Sequence, residues 1–213
     1  MEISKGIVNK DFWKNTFSVS KDTLIPRPDS EALVESVLKY LPQDEDFNFL
    51  DLGTGSGSLI ISILEEFKNS QGTGIDISKN AISIANKNKK NINNDLNLSF
   101  IVHDFFTYDT KGFDIIICNP PYVPKNKLNE ITEEVFNFEP HLALFPKKDT
   151  KDCYEKIISN IKLTNNKNCY VFFEIDYRDH VLVSNILKDN DFSVLAAEND
   201  LTNRPRCIVA KMN

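Results

Sequence analysis

The sequence is short of the residues that build metal centres and disulfide frameworks. Its four cysteines, Cys118, Cys153, Cys169 and Cys207, show no Cys-x-x-Cys spacing, and three of them lie inside apolar, strand-like runs. The three histidines, His103, His141 and His180, are far apart and form no ligand pattern. Buried free thiols in a reducing compartment fit this usage better than disulfides or a metal site. No apolar run approaches the roughly 20 residues that span a bilayer, and no signal-peptide pattern follows Met1. The expected setting is therefore cytoplasmic, with neither metal nor membrane as partner. Positive charge is also short, with 25 Lys and Arg against 31 Asp and Glu, a formal net charge of −6. A chain that grips a long phosphate backbone carries a basic stripe. Here the cluster of Lys87, Lys89 and Lys90 runs on into Asn and Asp and reads as a solvated helix face, which disfavours nucleic acid.

What is present suits one α/β domain. Hydrophobic residues make up 41% of 213 positions, enough for a full core in a single domain. Residues 1–24 mix apolar and polar positions loosely, as in an extended or hairpin-like lead-in, and Pro26 and Pro28 force extended backbone after it. A helix is expected from about residue 29, with Leu33, Val37 and Leu41 on one face and Pro42 at its end. Strands then follow at 47–52, 74–77, 98–102, 113–118, 169–175, 193–197 and 207–211. Helices are expected at 58–67, after a Ser78 cap, at 152–163 and at 179–187. Strands separated by helical lengths predict a doubly wound, mostly parallel, seven-stranded sheet. The last two strands are too close for a helical crossover, so one of them is expected to be antiparallel. The division expected is a lead-in over 1–28 packed on a domain over 29–213.

The first strand–helix turn reads Asp51-Leu52-Gly53-Thr54-Gly55-Ser56-Gly57. Glycines there permit a tight backbone and close approach of a ligand to the helix N-terminus. The spacing is Gly-x-Gly-x-Gly rather than Gly-x-Gly-x-x-Gly, and a carboxylate, Asp51, closes the strand. A carboxylate sits well beside a sulfonium and an ammonium and badly beside a pyrophosphate. Asp76, ending the second strand, can accept both ribose hydroxyls; a helix cap is its plainer role. Asp104 and Phe105, ending the third, offer a polar contact and an aromatic face for adenine. Three such groups at three successive strand ends predict an S-adenosylmethionine pocket and, with it, a class I methyltransferase fold.

A run of β-formers over 113–118 ends in Asn119-Pro120-Pro121-Tyr122. Two adjacent prolines can neither continue a ladder nor enter a helix interior, so a buried strand delivers a rigid, extended tetrapeptide at its C-terminal end. Ligands of open α/β sheets sit at that end. The Asn119 side chain and the Pro120 carbonyl offer two acceptors and Tyr122 a flat wall, a combination suited to a planar NH2 group.

Asn119-Pro120-Pro121-Tyr122 resembles the signature of amino methyltransferases that act on adenine N6, cytosine N4 or glutamine N5. Two flanking motifs narrow the choice. Thr23-Leu24-Ile25-Pro26-Arg27-Pro28-Asp29-Ser30-Glu31 and Phe138-Glu139-Pro140-His141-Leu142-Ala143-Leu144-Phe145 are similar to motifs of the HemK-type protein-(glutamine-N5) methyltransferases of peptide chain release factors. The resemblance runs from about Phe12 to the C-terminus in the family's order and spacing. It implies methyl transfer from S-adenosylmethionine to a glutamine of a release factor's Gly-Gly-Gln loop, with S-adenosylhomocysteine as product. It also implies that Asn119, Pro120, Pro121 and Tyr122 hold the substrate, that Asn119, Pro120 and Tyr122 are catalytic, and that Asn119 touches the cofactor as well.

Arg27 then either helps close the cofactor pocket or pairs with Glu31 or Asp29. Glu139 either shapes the substrate entrance or ends a surface helix. Glu174 either faces the site or caps a neighbouring turn. The tetrapeptide alone leaves open an adenine-N6 nucleic-acid methyltransferase, and a non-catalytic S-adenosylmethionine-binding module is the third alternative.

The match departs from the family in places. The helical bundle that usually precedes the catalytic domain has no counterpart, nor does a tyrosine-containing segment usual before Phe12. Residues 146–151 lack the family's glycines, Asp176 stands at another glycine position, and Asn203 replaces a third, where its tolerance of left-handed backbone makes the change mild.

Overall fold

Apolar runs in this chain are continuous rather than alternating, which is the pattern of strands covered on both faces. The computed structural model of the chain describes residues 6–122, 139–146, 148–165 and 168–213. Phe138 of the Glu-Pro motif, Lys147 of the glycine-free stretch and residues 1–5 of the lead-in lie outside them. The chain opens with a hairpin of β1 (Val8–Phe12) and β2 (Asn15–Val19), followed by α1 (Glu31–Tyr40). The sheet then begins with β3 (Asn48–Leu52), α2 (Ser58–Glu66), β4 (Gln71–Asp76), α3 (Lys79–Ile92) and β5 (Leu98–Val102). After β6 (Ile115–Cys118) come a helical turn (His141–Leu144), α4 (Thr150–Thr164), β7 (Tyr170–Glu174), α5 (His180–Asp189), β8 (Phe192–Asn199) and β9 (Pro205–Met212).

The seven strands lie in the order β5-β4-β3-β6-β7-β9-β8. β3, β4, β5, β6 and β7 pair in parallel, whereas β9 runs antiparallel to both neighbours. The seven-stranded, mostly parallel sheet with one antiparallel strand near the C-terminus is thus the one expected. Alternate residues of each strand feed opposite faces. Leu50, Ile116, Val171 and Phe173 pack under Tyr154, Ile157 and Ile158 of α4. Phe49, Ile115, Ile117 and Phe172 pack under Leu33, Val34 and Ile60 of α1 and α2. Phe12 and Phe17 of the hairpin join that second layer.

Polar bonds pin the hairpin as well. Trp13, at positive φ in its turn, donates its indole N–H to Glu66 of α2 at 2.9 Å and its backbone N–H to Glu31 of α1 at 2.8 Å. The buried Asn88 on α3 accepts from the Ser18 N–H at 2.8 Å and donates to the carbonyls of Ser18 and Ser56 at 2.9 and 2.8 Å. One side chain thereby ties the hairpin to the glycine loop.

β4 starts earlier than the expected 74–77, because Gln71, Gly72 and Thr73 are strand residues as well. Helix side chains press on the β4 backbone there: a Cβ on Gly72 would sit 2.8 Å from Leu64 and 2.9 Å from Ile60. Similarly, α4 starts two residues before the expected 152, since the Asp149 side chain accepts the Asp152 N–H and caps it. All four cysteines are free and buried. No helix among the described residues is long and apolar enough to cross a membrane.

Candidate active site

The order of strands reverses between β3 and β6, and the crevice at such a switch point is where open α/β sheets bind ligands. The two decisive loops leave from there. Asp51 lies opposite Ile117 and Leu52 opposite Cys118 in the β3–β6 ladder, so the glycine loop and the tetrapeptide emerge side by side. Between them lies a cavity of about 240 Å³.

Of the ten residues expected at a cofactor, Gly53, Thr54, Gly55, Ser56, Asp76, Phe105 and Asn119 line this cavity. The loop's shape is held internally. Gly53 and Thr54 donate to the Ile75 carbonyl at 2.9 and 2.8 Å, and the Gly55 N–H donates to Asp76 Oδ2 at 3.0 Å. Asp76 Oδ1 takes the Ser78 N–H at 2.9 Å, while Ser78 caps α3 through Ala81 N–H at 3.2 Å. Asp76 therefore braces the loop while still facing the cavity. Burial raises its carboxyl above the ordinary range, against the pull of these N–H donors.

The other three are not among its lining residues. Gly57 caps α2 at φ +79° with Phe100, Ile61 and Ala85 crowding where a Cβ would be. Asp104 accepts the Phe106 N–H at 3.0 Å, a local turn that presents Phe105. Asp51 is buried; its Oδ2 accepts the Thr54 hydroxyl at 2.6 Å and its Oδ1 has no partner among the described residues. Desolvation pushes its pKa up to about 7, with Asp76 adding to the rise and Thr54 opposing it. A buried acceptor left open beside a glycine cradle fits a cationic ligand group.

The tetrapeptide divides similarly. Asn119 and Pro121 line the cavity, Pro120 is buried, and Tyr122 turns toward Glu174. The Tyr122 hydroxyl donates to Glu174 Oε1 at 3.1 Å, and the Tyr122 carbonyl accepts the Thr150 hydroxyl at 3.1 Å. Burial holds that phenol well above its ordinary pKa, so it stays a donor.

The flanking motifs meet one another. Arg27 pairs with the buried Glu139, not with Glu31 or Asp29. Glu139 is accordingly no surface helix terminus. Asp29 instead takes a bond from Arg206 at 3.2 Å, and Arg206 also reaches Asp200 at 3.1 Å and the Ile175 carbonyl at 3.2 Å. Residues given no cofactor or substrate role in the sequence reading also line the cavity: Thr23, Leu24 and Pro26 of the Arg-Pro motif, Pro140 and Ala143 of the Glu-Pro motif, and Asp22 and Ile77. The motifs were the signal for the first five; Asp22 and Ile77 carried none beyond standing next to a motif and a strand-end carboxylate. Among the described residues no group of His, Cys, Asp or Glu could hold a metal ion.

A family model described as "Methyltransferase domain" matches residues 43–191. The chain is 30% identical over 212 residues to the release factor glutamine methyltransferase of Caulobacter vibrioides, covering 99% of this chain and 73% of that one. This chain belongs to the release factor glutamine methyltransferase family. A further member, from Fusobacterium nucleatum subsp. nucleatum, is 37% identical over 203 residues, 94% of this chain and 57% of its own length. The chain thus spans little more than half of that relative. Among solved structures, the ribosomal protein L11 methylase of Lactobacillus delbrueckii subsp. bulgaricus shares the fold at TM-score 0.61 and 16% identity, over 87% of this chain and 79% of that one. The family's two flanking motifs are the ones that Arg27 and Glu139 join across 112 positions of sequence.

Proposed function

We propose that this chain transfers a methyl group from S-adenosylmethionine to N5 of a glutamine in a peptide chain release factor, within its Gly-Gly-Gln loop. One observation carries the reading: Asn119 shares a single cavity wall with the glycine loop and Asp76. Family membership supports the choice of glutamine. Residues 29–213 form the methyltransferase domain and 1–28 the lead-in packed on it, a division supported by Phe12 and Phe17 in its core. Four free buried thiols support a reducing, cytoplasmic setting.

Gly53, Thr54, Gly55 and Ser56 would cradle the cofactor, Asp76 accept its ribose hydroxyls, Phe105 pack on its adenine and Asp51 attract its ammonium. When bound, S-adenosylmethionine supplies an electrophilic methyl carbon. The chain's own task is to present a poor nucleophile, a carboxamide nitrogen whose lone pair is delocalised into its carbonyl. The Asn119 side-chain oxygen and the Pro120 carbonyl accept its two N–H bonds, turning the lone pair toward the cofactor and favouring a more tetrahedral nitrogen. Positioning and fixed dipoles supply most of the catalysis. Tyr122 packs on the amide plane, and the proton leaves afterwards, so no strong base is needed.

Incubation with labelled S-adenosylmethionine and either release factor or adenine-containing nucleic acid tests this. Label is expected on the release factor; label on nucleic acid alone would refute the proposal.

Asp51 supplies a pH signature. Its carboxyl keeps a proton to about pH 7 when folded, against an ordinary 3.8. In the ligand-free protein this group's contribution to stability is therefore lost as pH rises from about 4 to about 7, because only the folded form holds the proton. Ligand binding has the opposite sign, since an ammonium beside Oδ1 favours the ionised carboxylate. Affinity for S-adenosylmethionine is expected to rise between about pH 5.5 and 7.5, with release of up to one proton. Calorimetry in two buffers reads both quantities. Affinity that falls with pH, or that keeps the same slope in Asp51→Asn, would remove Asp51 from the cofactor site.

A further inference from the structure

Glu174 ends β7 as a buried carboxylate that the reaction as described does not use. Its Oε1 accepts the Tyr122 hydroxyl at 3.1 Å, and its Oε2 is buried with no hydrogen-bond partner among the described residues. Its own backbone carbonyl accepts the hydroxyl of the fully buried Tyr154 at 2.7 Å, so the residue cannot drift along the strand. Around the carboxylate stand the Ser30 hydroxyl and the Arg206 guanidinium, which offset part of the burial that raises it, while Asp29 adds to that rise. Arg206 is anchored in turn by Asp29 and Asp200. Ser30 belongs to the cavity wall and Tyr122 to the tetrapeptide. The carboxylate therefore sits where the Arg-Pro motif, the end of β7 and the tetrapeptide converge.

A buried carboxylate with an open oxygen is an expensive way to fill space, and a purely structural position would be better served by an apolar side chain such as Leu. We infer that Glu174 is a positioning residue for methyl transfer, fixing through its bond to the hydroxyl the ring of Tyr122 against which the substrate carboxamide lies. This rests on the proposed role of the tetrapeptide. Thr150 holds the Tyr122 backbone and the core cluster packs on the ring, so the bond to Glu174 fixes the ring's far end.

The test is kinetics of the full chain with S-adenosylmethionine and release factor for Tyr122→Phe, Glu174→Leu, Glu174→Gln and the double variant Tyr122→Phe/Glu174→Leu. Each of the two apolar single variants is expected to lower kcat about tenfold, with KM for S-adenosylmethionine within about twofold. The double variant should be no worse than either, because both remove the same bond. Glu174→Gln retains an acceptor oxygen and should recover most of the rate. Losses that multiply in the double variant, or a Glu174→Gln as poor as Glu174→Leu, would overturn the assignment. Tyr122→Phe removes one oxygen and keeps the ring, so it remains informative if Glu174→Leu fails to fold. Fluorotyrosine NMR of the free protein separates this inference from the reading beneath it. The Tyr122 resonance, one of six tyrosines, is identified by its loss in Tyr122→Phe. It should move in Glu174→Leu and stay near its place in Glu174→Gln. If the wild-type chain leaves release factor unmethylated, the substrate reading falls and this resonance still decides whether Glu174 holds Tyr122; a resonance unmoved by Glu174→Leu overturns the inference.

Discussion

Replacing Asn119 with alanine is expected to lower methyl transfer to release factor by about 10³-fold while S-adenosylmethionine affinity stays within about threefold. Asn119 leaves β6 directly after Cys118, whose strand is buried between β3 and β7, so the amide is delivered by a rigid element. On the proposed roles, alanine would remove one of the two acceptors that orient the carboxamide and leave the Pro120 carbonyl as the other. One fixed acceptor then permits the lone pair to rotate out of line, and rate is lost in the transition state more than in binding. Single-turnover transfer, beside cofactor affinity by calorimetry, separates the two. Because Asn119 also lines the cofactor's cavity, collapse of cofactor affinity with transfer preserved would assign its amide to the cofactor instead.

Gly74→Val is expected to destabilise the ligand-free protein by about 3 kcal/mol, lowering the midpoint of thermal unfolding by about 6–12 °C. A Cβ on Gly74 would stand 2.7 Å from two atoms of the Phe100 ring and 2.7 Å from Thr54 Oγ1. The residue lies in mid-sheet, paired with Asp51 on one side and Phe100 on the other, so the backbone cannot retreat. Thr54 is also the hydroxyl that satisfies Asp51 Oδ2. Cofactor affinity is therefore expected to fall more than tenfold along with stability. Differential scanning calorimetry with and without S-adenosylmethionine measures both; an unchanged midpoint would mean that Phe100 and Thr54 move aside freely.

The same strand shows where sequence reading reaches its limit. Gly72 and Gly74 weaken β4 as a strand by propensity, yet they are what allow Ile60, Leu64, Phe100 and Thr54 to approach its backbone. Elements with strong local signals were legible: β5 falls on 98–102, Ser78 caps α3, and Asn203 is left-handed at φ +61°. The glycine loop and tetrapeptide were legible because their chemistry is local and their placement follows from strand order. Contacts between distant segments were not. Nothing in the spacing tells Arg27 to choose Glu139 over Asp29 or Glu31, or tells Tyr122 to find Glu174 52 positions away. Asp51 was read beside the cofactor's cationic groups; its bond to the Thr54 hydroxyl, which leaves the other oxygen open among the described residues, could not be read from spacing.

The insertion of β9 between β7 and β8 has a consequence for the order in which the protein can become competent. β9 is the last of the seven strands to leave the ribosome, yet it occupies an interior position and carries Arg206. Until it arrives, β7 has an open edge, Asp29 lacks its guanidinium partner, and the surroundings of Glu174 are incomplete. A domain folds as a unit, so the sheet closes only once synthesis has delivered β9. A nascent chain that already carries the glycine loop and the tetrapeptide would thus still lack what holds Glu174 and Asp29 in place.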